Sequence, residues 1–464
     1  QHQQQQQQQQ RSFSFGGSNT SLERLEQQLL SFCWNASPDD IEAVRVFIGG
    51  CRVVSLAAQS GTRFLSDVPS EQEGWASKAW WILTNPSLTV TYLQWVTVSC
   101  ERFALSFTEP FLKKWFMNIV SSSPQSTIFW AMFQFGLMAA GHLCSFSSDG
   151  VHHAVDRMAK RFTDLGGHLH VNNRITEITV DDIIDEGDST KTNKSNNNKK
   201  RVTGVRVSES GRPAEFIAFD HVVSSGDFHQ LVETLLGDRL PLKEQDVDVD
   251  MIYRQNRVCP SHCLITYKLK SGVVLKEIPE NTQMLTVVIP DANQFEAAGV
   301  QQKGLIKLMF SSPNQQQQQQ VVNVMIPTSW EHWKNTVKPE DLSSAKTQLA
   351  ETIYERIVQK HVSDAERDQV QSMEVITPLE MEQRTSNYQG SFQGWAISVG
   401  KHALCYRLSK LESIKNLWTV GQWVFPGGGV LQSIMTGKWC AQLICQSDVK
   451  AFVDPPLSMG KGIN

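Results

Sequence analysis

Two spacings of apolar residues follow one another along the chain and predict both helices and strands. Leucines recur at helical spacing after Ser21, and residues 37–40 (SPDD) are typical of a helix start, with serine at the cap and proline first. Residues 75–145 are apolar and aromatic, with helix-like runs. Val151–Leu165 is amphipathic, and Gly166-Gly167 predicts its end. The first third of the chain should therefore be helical.

After that helix the spacing changes to alternation and to short apolar runs, which predict strands. The predicted strands are His168–Val171, Arg174–Val180, Arg201–Val207, Ala214–Phe219, His221–Ser225, Met284–Ile289, Leu305–Phe310 and Asn416–Val420, and two further helices are predicted over Ser344–Val362 and Val430–Cys445. The strands 168–171, 221–225 and 416–420 are short and apolar, as central parallel strands are. We expect them to share one sheet, with the 174–219 meander as a second layer.

Low-complexity segments mark the ends and the loops. Residues 1–20 are rich in Gln, Ser and Gly and are expected to be disordered. Gln315–Gln320 and the polar tract Asp185–Arg201 are expected to be loop insertions.

Composition excludes several classes of protein. Net charge is −4 and the basic residues are dispersed, so no nucleic-acid surface is indicated. The nine cysteines lack zinc spacing, and His152-His153 has no further ligand nearby, so we predict no metal site. Without a visible secretory signal, an intracellular location is expected, either cytoplasmic or peripheral to a membrane. Ile128–Phe146 is about as long as a bilayer requires, but Gln134 and His142 favour a buried or membrane-surface helix.

The clearest chemical motif is Asn416–Cys445, where an apolar strand leads into Gly421, a Pro-Gly-Gly-Gly turn at 426–429 and a helix. Glycines let a ligand approach the backbone, and the N-terminus of the following helix favours an anion. An ordinary turn with flexible glycines is the alternative. The segments Ser148–Val180 and Thr377–Trp395 are weaker motifs, each also compatible with a generic structural element.

Taken in order, these segments resemble the FAD-dependent carotenoid desaturase and isomerase superfamily, which includes phytoene desaturase-like and retinol saturase-like oxidoreductases. The similarity covers about residues 20–446 and is carried by the following residues: the SPDD helix start, Asp149-Gly150, Gly166-Gly167, Arg174–Ile178, Val202–Val205, His221–Ser225, Thr377-Pro378, Arg384, Gly390-Ser391, Gly394-Trp395, Asn416–Trp418, Gly421, Pro426–Gly429 and Gly437.

The resemblance implies an α/β fold of mixed α+β content, with a Rossmann-type FAD domain carrying a β-meander and a substrate domain of mixed sheet and helices. The implied segments are 1–20 (disordered), 21–148 (helical substrate part), 149–229 (FAD part), 230–400 (substrate domain), 401–446 (C-terminal FAD part) and 447–464 (tail). The implied cofactor-binding residues are Ile175, Ser225, Gly421, Gln422, Pro426, Gly427, Gly428, Gly429 and Val430. The flavin would perform the hydride chemistry, so no catalytic side chain is assigned.

One departure from the family affects the cofactor. The sequence contains no G-x-G-x-x-G opening a βαβ unit, so the FAD-binding domain is expected to be incomplete and FAD binding weak. The first residue is Gln1, which favours a fragment of a longer protein over a degenerate homologue.

The function implied is FAD-dependent desaturation, saturation or isomerisation of an apolar polyene or isoprenoid. Within the amine oxidase superfamily, an amine-oxidase-like flavoenzyme is the second interpretation. A cofactor-free binding or scaffold protein is the third. An apolar small molecule is the expected partner, and peripheral membrane contact is left open.

Overall fold

The computed structural model describes most of the chain, with gaps at both ends and in several connecting segments. The described residues are 12–14, 22–31, 36–60, 83–117, 119, 125–141, 150–183, 200–209, 213–239, 253, 256–271, 273, 284–288, 305–310, 320–362, 369–396, 399, 411, 413–424 and 428–452. Pro426 and Gly427 lie outside these residues.

Helices and strands are both abundant, so the chain is of the mixed α/β class that the sequence predicts. The α-helices are α1 (Leu22–Ser31), α2 (Pro38–Gln59), α3 (Pro86–Trp95), α4 (Cys100–Ala104), α5 (Pro110–Met117), α6 (Ile128–Ala139), α7 (Gly150–Asp164), α8 (Trp330–Asn335), α9 (Leu342–Arg356), α10 (Pro378–Thr385) and α11 (Val430–Ser447). A π-helix spans Gln230–Leu236.

The strands among the described residues form three sheets. They are β1 (Ser12–Ser14), β2 (Asn173–Asp182), β3 (Lys200–Glu209), β4 (Glu215–Ala218), β5 (Val222–Ser224), β6 (His262–Leu269), β7 (Met284–Val288), β8 (Leu305–Phe310), β9 (Val321–Pro327), β10 (Val370–Ile376), β11 (Ile414–Lys415) and β12 (Leu417–Thr419). The six-stranded sheet has the order β1-β7-β8-β9-β6-β10, the four-stranded sheet has the order β11-β3-β2 with β4 on β3, and β12 pairs with β5.

The start of α2 follows directly from the SPDD sequence. Ser37 caps the helix by accepting a hydrogen bond from the Asp40 N–H, and the Asp40 carboxylate accepts one from the Ser37 N–H in return. Asp40 also accepts from the N–H and the hydroxyl of Thr108, each at 2.6 Å. The same carboxylate therefore caps α2 and fixes the chain that enters α5.

Helices α1, α2 and α4–α6 enclose an aromatic core. Phe47 packs edge-on against Phe116 at 5.0 Å between ring centroids, and Phe107 stacks on Phe116 at 4.6 Å. The Phe and Trp residues of this region thus largely fill a core. No helix among the described residues is long and apolar enough to cross a membrane.

The six-stranded sheet packs one face against α9. Alternate residues of β6, β8 and β9, such as Ile265, Leu308 and Val324, are fully buried beneath that helix. The buried Tyr267 hydroxyl donates to the Ala350 carbonyl of α9 at 2.7 Å, which satisfies both groups. Alternation along these strands leaves a second face pointing away from α9.

The outermost strand of this sheet departs from the prediction for residues 1–20. Ser12–Ser14 pairs antiparallel with β7, although disorder was expected there. An edge strand offers unpaired backbone groups that a short neighbouring segment can satisfy.

The other two sheets join distant parts of the chain, and the sequence predicts one of these pairings, that of 416–420 with 221–225. Strand β12 pairs in parallel with β5, and β11 pairs in parallel with β3 of the meander. Ile178, Val205, Leu236, Trp395 and Leu417 share one core, which thus includes the π-helix and the 395 loop. The strands of 173–224 and 414–419 therefore pack together, whereas α7 and residues 165–171 are mostly exposed.

The strand predicted over His168–Val171 does not form. Residues 167–171 have no regular structure, and Leu169 and Val171 are 57% and 77% exposed. A strand needs partners for its backbone groups, and none of the described strands pairs with this segment. The expectation that it shares a sheet with 416–420 is wrong.

An open apolar face lies on the same segment and the helix before it. Val155, Met158 and Phe162 of α7 are 44–48% exposed, and Val223 of β5 and Ile434 of α11 are exposed as well. Parallel strands normally have both faces covered.

Candidate functional site

The candidate site begins where two parallel strands end side by side. In the β5–β12 pair Ser224 lies opposite Thr419, and the Val420 N–H donates to the Ser224 carbonyl at 2.9 Å. Ser225 and Gly421 are therefore neighbours: a Cβ on Gly421 would lie 3.4 Å from the Ser225 carbonyl oxygen. Carboxyl ends of parallel strands are where α/β folds place ligands.

Gly421 turns the chain away from the sheet with φ +95°, a conformation that favours glycine. Its N–H donates to the Thr436 hydroxyl at 2.8 Å, and this hydroxyl donates to the Ser433 carbonyl at 2.8 Å. Thr436 is fully buried on α11. The turn is therefore fixed to the helix that follows it.

The side-chain amide of Asn387 holds the next two residues, Gln422 and Trp423. The Gln422 side-chain nitrogen and the Trp423 indole nitrogen donate to the Asn387 Oδ1 atom at 3.0 and 3.1 Å. Gln422 is a predicted cofactor-binding residue, and here its amide NH₂ is engaged with the protein. Its role as a ligand group stays a prediction.

Helix α11 begins without a capping side chain. Gly429 is its N-cap and forms no side-chain capping hydrogen bond, so the first-turn N–H groups lack that partner. Gly428 has φ +56°, and a Cβ there would lie 3.0 Å from the Gln393 Cβ atom. Val430 is 39% exposed at the start of the helix. This end of α11 is suited to an anion.

The 386–396 loop packs against the glycine turn. A Cβ on Gly394 would lie 2.8 Å from the Gln422 carbonyl oxygen, and the Trp395 and Trp423 rings are 5.0 Å apart. Of the interleaved aromatic residues, Tyr388 stacks on His229 and Trp395 is buried, whereas Phe392 is 44% exposed. This loop forms one wall of the candidate site.

A buried carboxylate holds that loop in place. Asp227 accepts from the Tyr388 N–H at 2.8 Å and from the Gln230 N–H at 3.0 Å. It therefore ties the loop to the start of the π-helix that follows β5. Sequence reasoning missed Asp227, Asn387 and Thr436, because the contacts by which they fix the site join residues distant in sequence.

Ile175 lies apart from these residues in sequence and in sheet. It belongs to β2 of the meander, where it pairs with Val207 and is 36% exposed. The structure thus brings Ser225, Gly421 and Gln422 together with Gly428, Gly429 and Val430 around β12 and α11, and it places Ile175 in the neighbouring sheet.

Residues with metal-binding chemistry are dispersed. In the described part of the chain no group of three or more His, Cys, Asp and Glu side chains could hold a metal ion. His152 and His153 are exposed on α7.

Comparison with known proteins gives structural similarity alone. No protein-family model matches the chain, and no curated protein matches it. A cyclohexylamine oxidase from Brevibacterium oxydans is similar with a TM-score of 0.41 at 9% identity, over 85% of this chain and 75% of that one. A variant of a putrescine oxidase is similar with a TM-score of 0.46 at 8% identity, over 94% of this chain and 87% of that one.

Proposed function

We propose that this chain acts as an FAD-dependent oxidoreductase. The observation that carries the proposal is the unit formed by β12, the Gly421 turn, Gly428-Gly429 and the uncapped start of α11, with Ser225 beside it. A flavin supplies hydride-transfer chemistry, and the protein binds and orients it.

The residues present fit part of an FAD molecule. Gly421 keeps the backbone free of a side chain where a planar ring or a ribityl chain would approach, and Gly428 lets the start of α11 pack closely against Gln393. The first turn of α11 would hold a phosphate. The sequence has no G-x-G-x-x-G to hold the rest of the dinucleotide. We therefore expect this chain to bind FAD weakly.

The test is a titration of FAD into the purified chain, followed by flavin fluorescence and equilibrium dialysis. The variant is Gly428→Leu, in which the added side chain would collide with Gln393 and strain a positive-φ residue at the start of α11. Its matched control is Gly437→Leu, because Gly437 lies on α11 with open space around its Cβ position. The affinity for FAD should fall about tenfold or more in Gly428→Leu and should stay unchanged in Gly437→Leu.

The outcomes separate the alternatives. If the unmodified chain shows no FAD binding at any concentration, the cofactor-free scaffold is favoured. If Gly428→Leu binds FAD as well as the control does, the cofactor site lies elsewhere.

The proposed substrate is an apolar polyene or isoprenoid. The second face of the six-stranded sheet supports this, because it carries Leu264 and Met325. Exposed apolar residues on α2 and α3, namely Leu56, Val90 and Leu93, suit contact with a membrane surface, from which such a substrate could be drawn. An amine-oxidase-like activity is the alternative, since both neighbours described above are named as amine oxidases.

A further inference from the structure

Two basic side chains lie on the face of the six-stranded sheet that points away from α9. Ile306 and Leu308 belong to the core beneath α9, so Lys307 between them points to the other face. His262 does so for the same reason, because Cys263 belongs to that core.

The surroundings of these two bases are apolar. Lys307 lies opposite Met325 on β9, and Met325 lies opposite Leu264 on β6, so three adjacent strands form one row. Met325 is buried and Leu264 is partly buried. Phe392 packs on His262, with ring centroids 5.7 Å apart.

Neither base has an acidic partner among the residues that the structure describes. His262 is 9% exposed, and its Nδ1 atom has no hydrogen-bond partner there. Lys307 is partly buried and forms no ion pair within the described residues. Burial and then the charge of Lys307 lower the pKa of His262 to about 3, although a hydrogen bond to the Pro260 backbone raises it, and burial lowers the pKa of Lys307. A buried lysine without an acidic partner costs free energy that a bound anion would offset.

We propose that His262 and Lys307 form a subsite for the carboxylate of an otherwise apolar ligand. The Lys307 ammonium group would donate to the carboxylate, and the neutral His262 imidazole, in the tautomer with its proton on Nδ1, would donate the second hydrogen bond. Leu264 and Met325 would contact the hydrocarbon part. A cationic amine would be repelled by Lys307, so the subsite favours an acid over an amine.

The subsite is one loop away from the glycine turn. Phe392 contacts His262, and the next residue, Gln393, lies against Gly428. A ligand anchored at His262 and Lys307 could therefore extend along Phe392 toward the proposed flavin site. That this ligand is the substrate rests on the proposed function, whereas the binding itself does not.

The test measures binding of decanoate and of 1-decanol by calorimetry and by thermal unfolding. The two probes share a hydrocarbon chain and differ in the charged group. The variant is Lys307→Met. Its matched control is Lys268→Met. Lys268 lies on β6 and, by alternation, on the same face of the sheet, but its side chain is exposed.

Decanoate should bind about tenfold or more weakly to Lys307→Met, and as tightly to Lys268→Met as to the unmodified chain. Decanol should not distinguish the three proteins. His262→Leu provides a second variant, in which the stabilisation by decanoate should also fall. If decanoate binds equally to all four proteins, or no better than decanol to the unmodified chain, the subsite does not exist. Loss of decanoate binding in Lys307→Met, together with no FAD binding by the unmodified chain, would support the subsite and contradict the proposed function.

Discussion

The carboxylate of Asp40 links two segments of the helical region that are far apart in sequence, and its removal should be measurable. Asp40 is fully buried, and it accepts hydrogen bonds from Ser37 and Thr108. Burial alone would raise the pKa of Asp40, but the hydrogen bonds from the Thr108 hydroxyl, the two N–H groups and the Ser37 hydroxyl together lower it from 3.8 to about 2.

That shift gives the size of the effect. At 1.36 kcal/mol per pKa unit, it corresponds to about 2.5 kcal/mol in the free energy of unfolding. Because the pKa is lower in the folded state, this stability is fully present above the unfolded pKa and is lost as the pH falls through about 2. Roughly half of it should remain at about pH 3.

The assay is urea unfolding of Asp40→Asn, followed by tryptophan fluorescence at several pH values. Asn keeps one acceptor oxygen but no charge, so the variant should lose about 2 kcal/mol at neutral pH. The difference in unfolding free energy between Asp40→Asn and the unmodified chain should become smaller as the pH falls from about 5 to about 3. Asp39→Asn is the control, because Asp39 is exposed in the same helical turn. This control substitution should lower the free energy of unfolding by about 0.5 kcal/mol, through the helix dipole alone.

Two results would refute this reasoning. One is an equal loss of stability in Asp40→Asn and Asp39→Asn at neutral pH. The other is a difference between Asp40→Asn and the unmodified chain that does not change with pH.

Two further predictions concern the candidate site. Thr436→Val should leave the Gly421 N–H without its acceptor, which should cost about 1–3 kcal/mol of stability and weaken FAD binding. The control is Thr347→Val, which removes an exposed hydroxyl on α9 that donates only to Ser343 within its own helix. Equal FAD affinity in the two variants would contradict the role of Thr436. With FAD in excess and oxygen absent, an isoprenoid polyene should bleach the flavin absorbance, whereas cyclohexylamine and putrescine should not; bleaching by either amine alone would favour the amine-oxidase-like alternative.

Elements with a local cause could be predicted from the sequence. The start of α2 follows from its cap, its proline and its acids within four residues. The turn after β12 follows from glycines at positions that require positive φ. The three meander strands follow from alternation alone.

Elements that depend on distant neighbours could not be predicted. Residues 168–171 have the composition of a strand, but the described chain gives them no partner. Asn387 and Thr436 act on Gln422 and Gly421 through the tertiary fold, and neither has a recognisable motif. Lys307 did carry a readable signal, since it is the one charged residue in the apolar strand Leu305–Phe310.

The parallel pairing of β5 with β12 has a consequence for the order in which the chain folds. These strands are separated by roughly two hundred residues, and such non-local contacts form late because a long loop must close first. During synthesis β5 leaves the ribosome well before β12 exists, so its unpaired edge and its valine side chains, Val222 and Val223, stay exposed in the nascent chain. Those surfaces are the ones on which we expect chaperones to act and aggregation to begin.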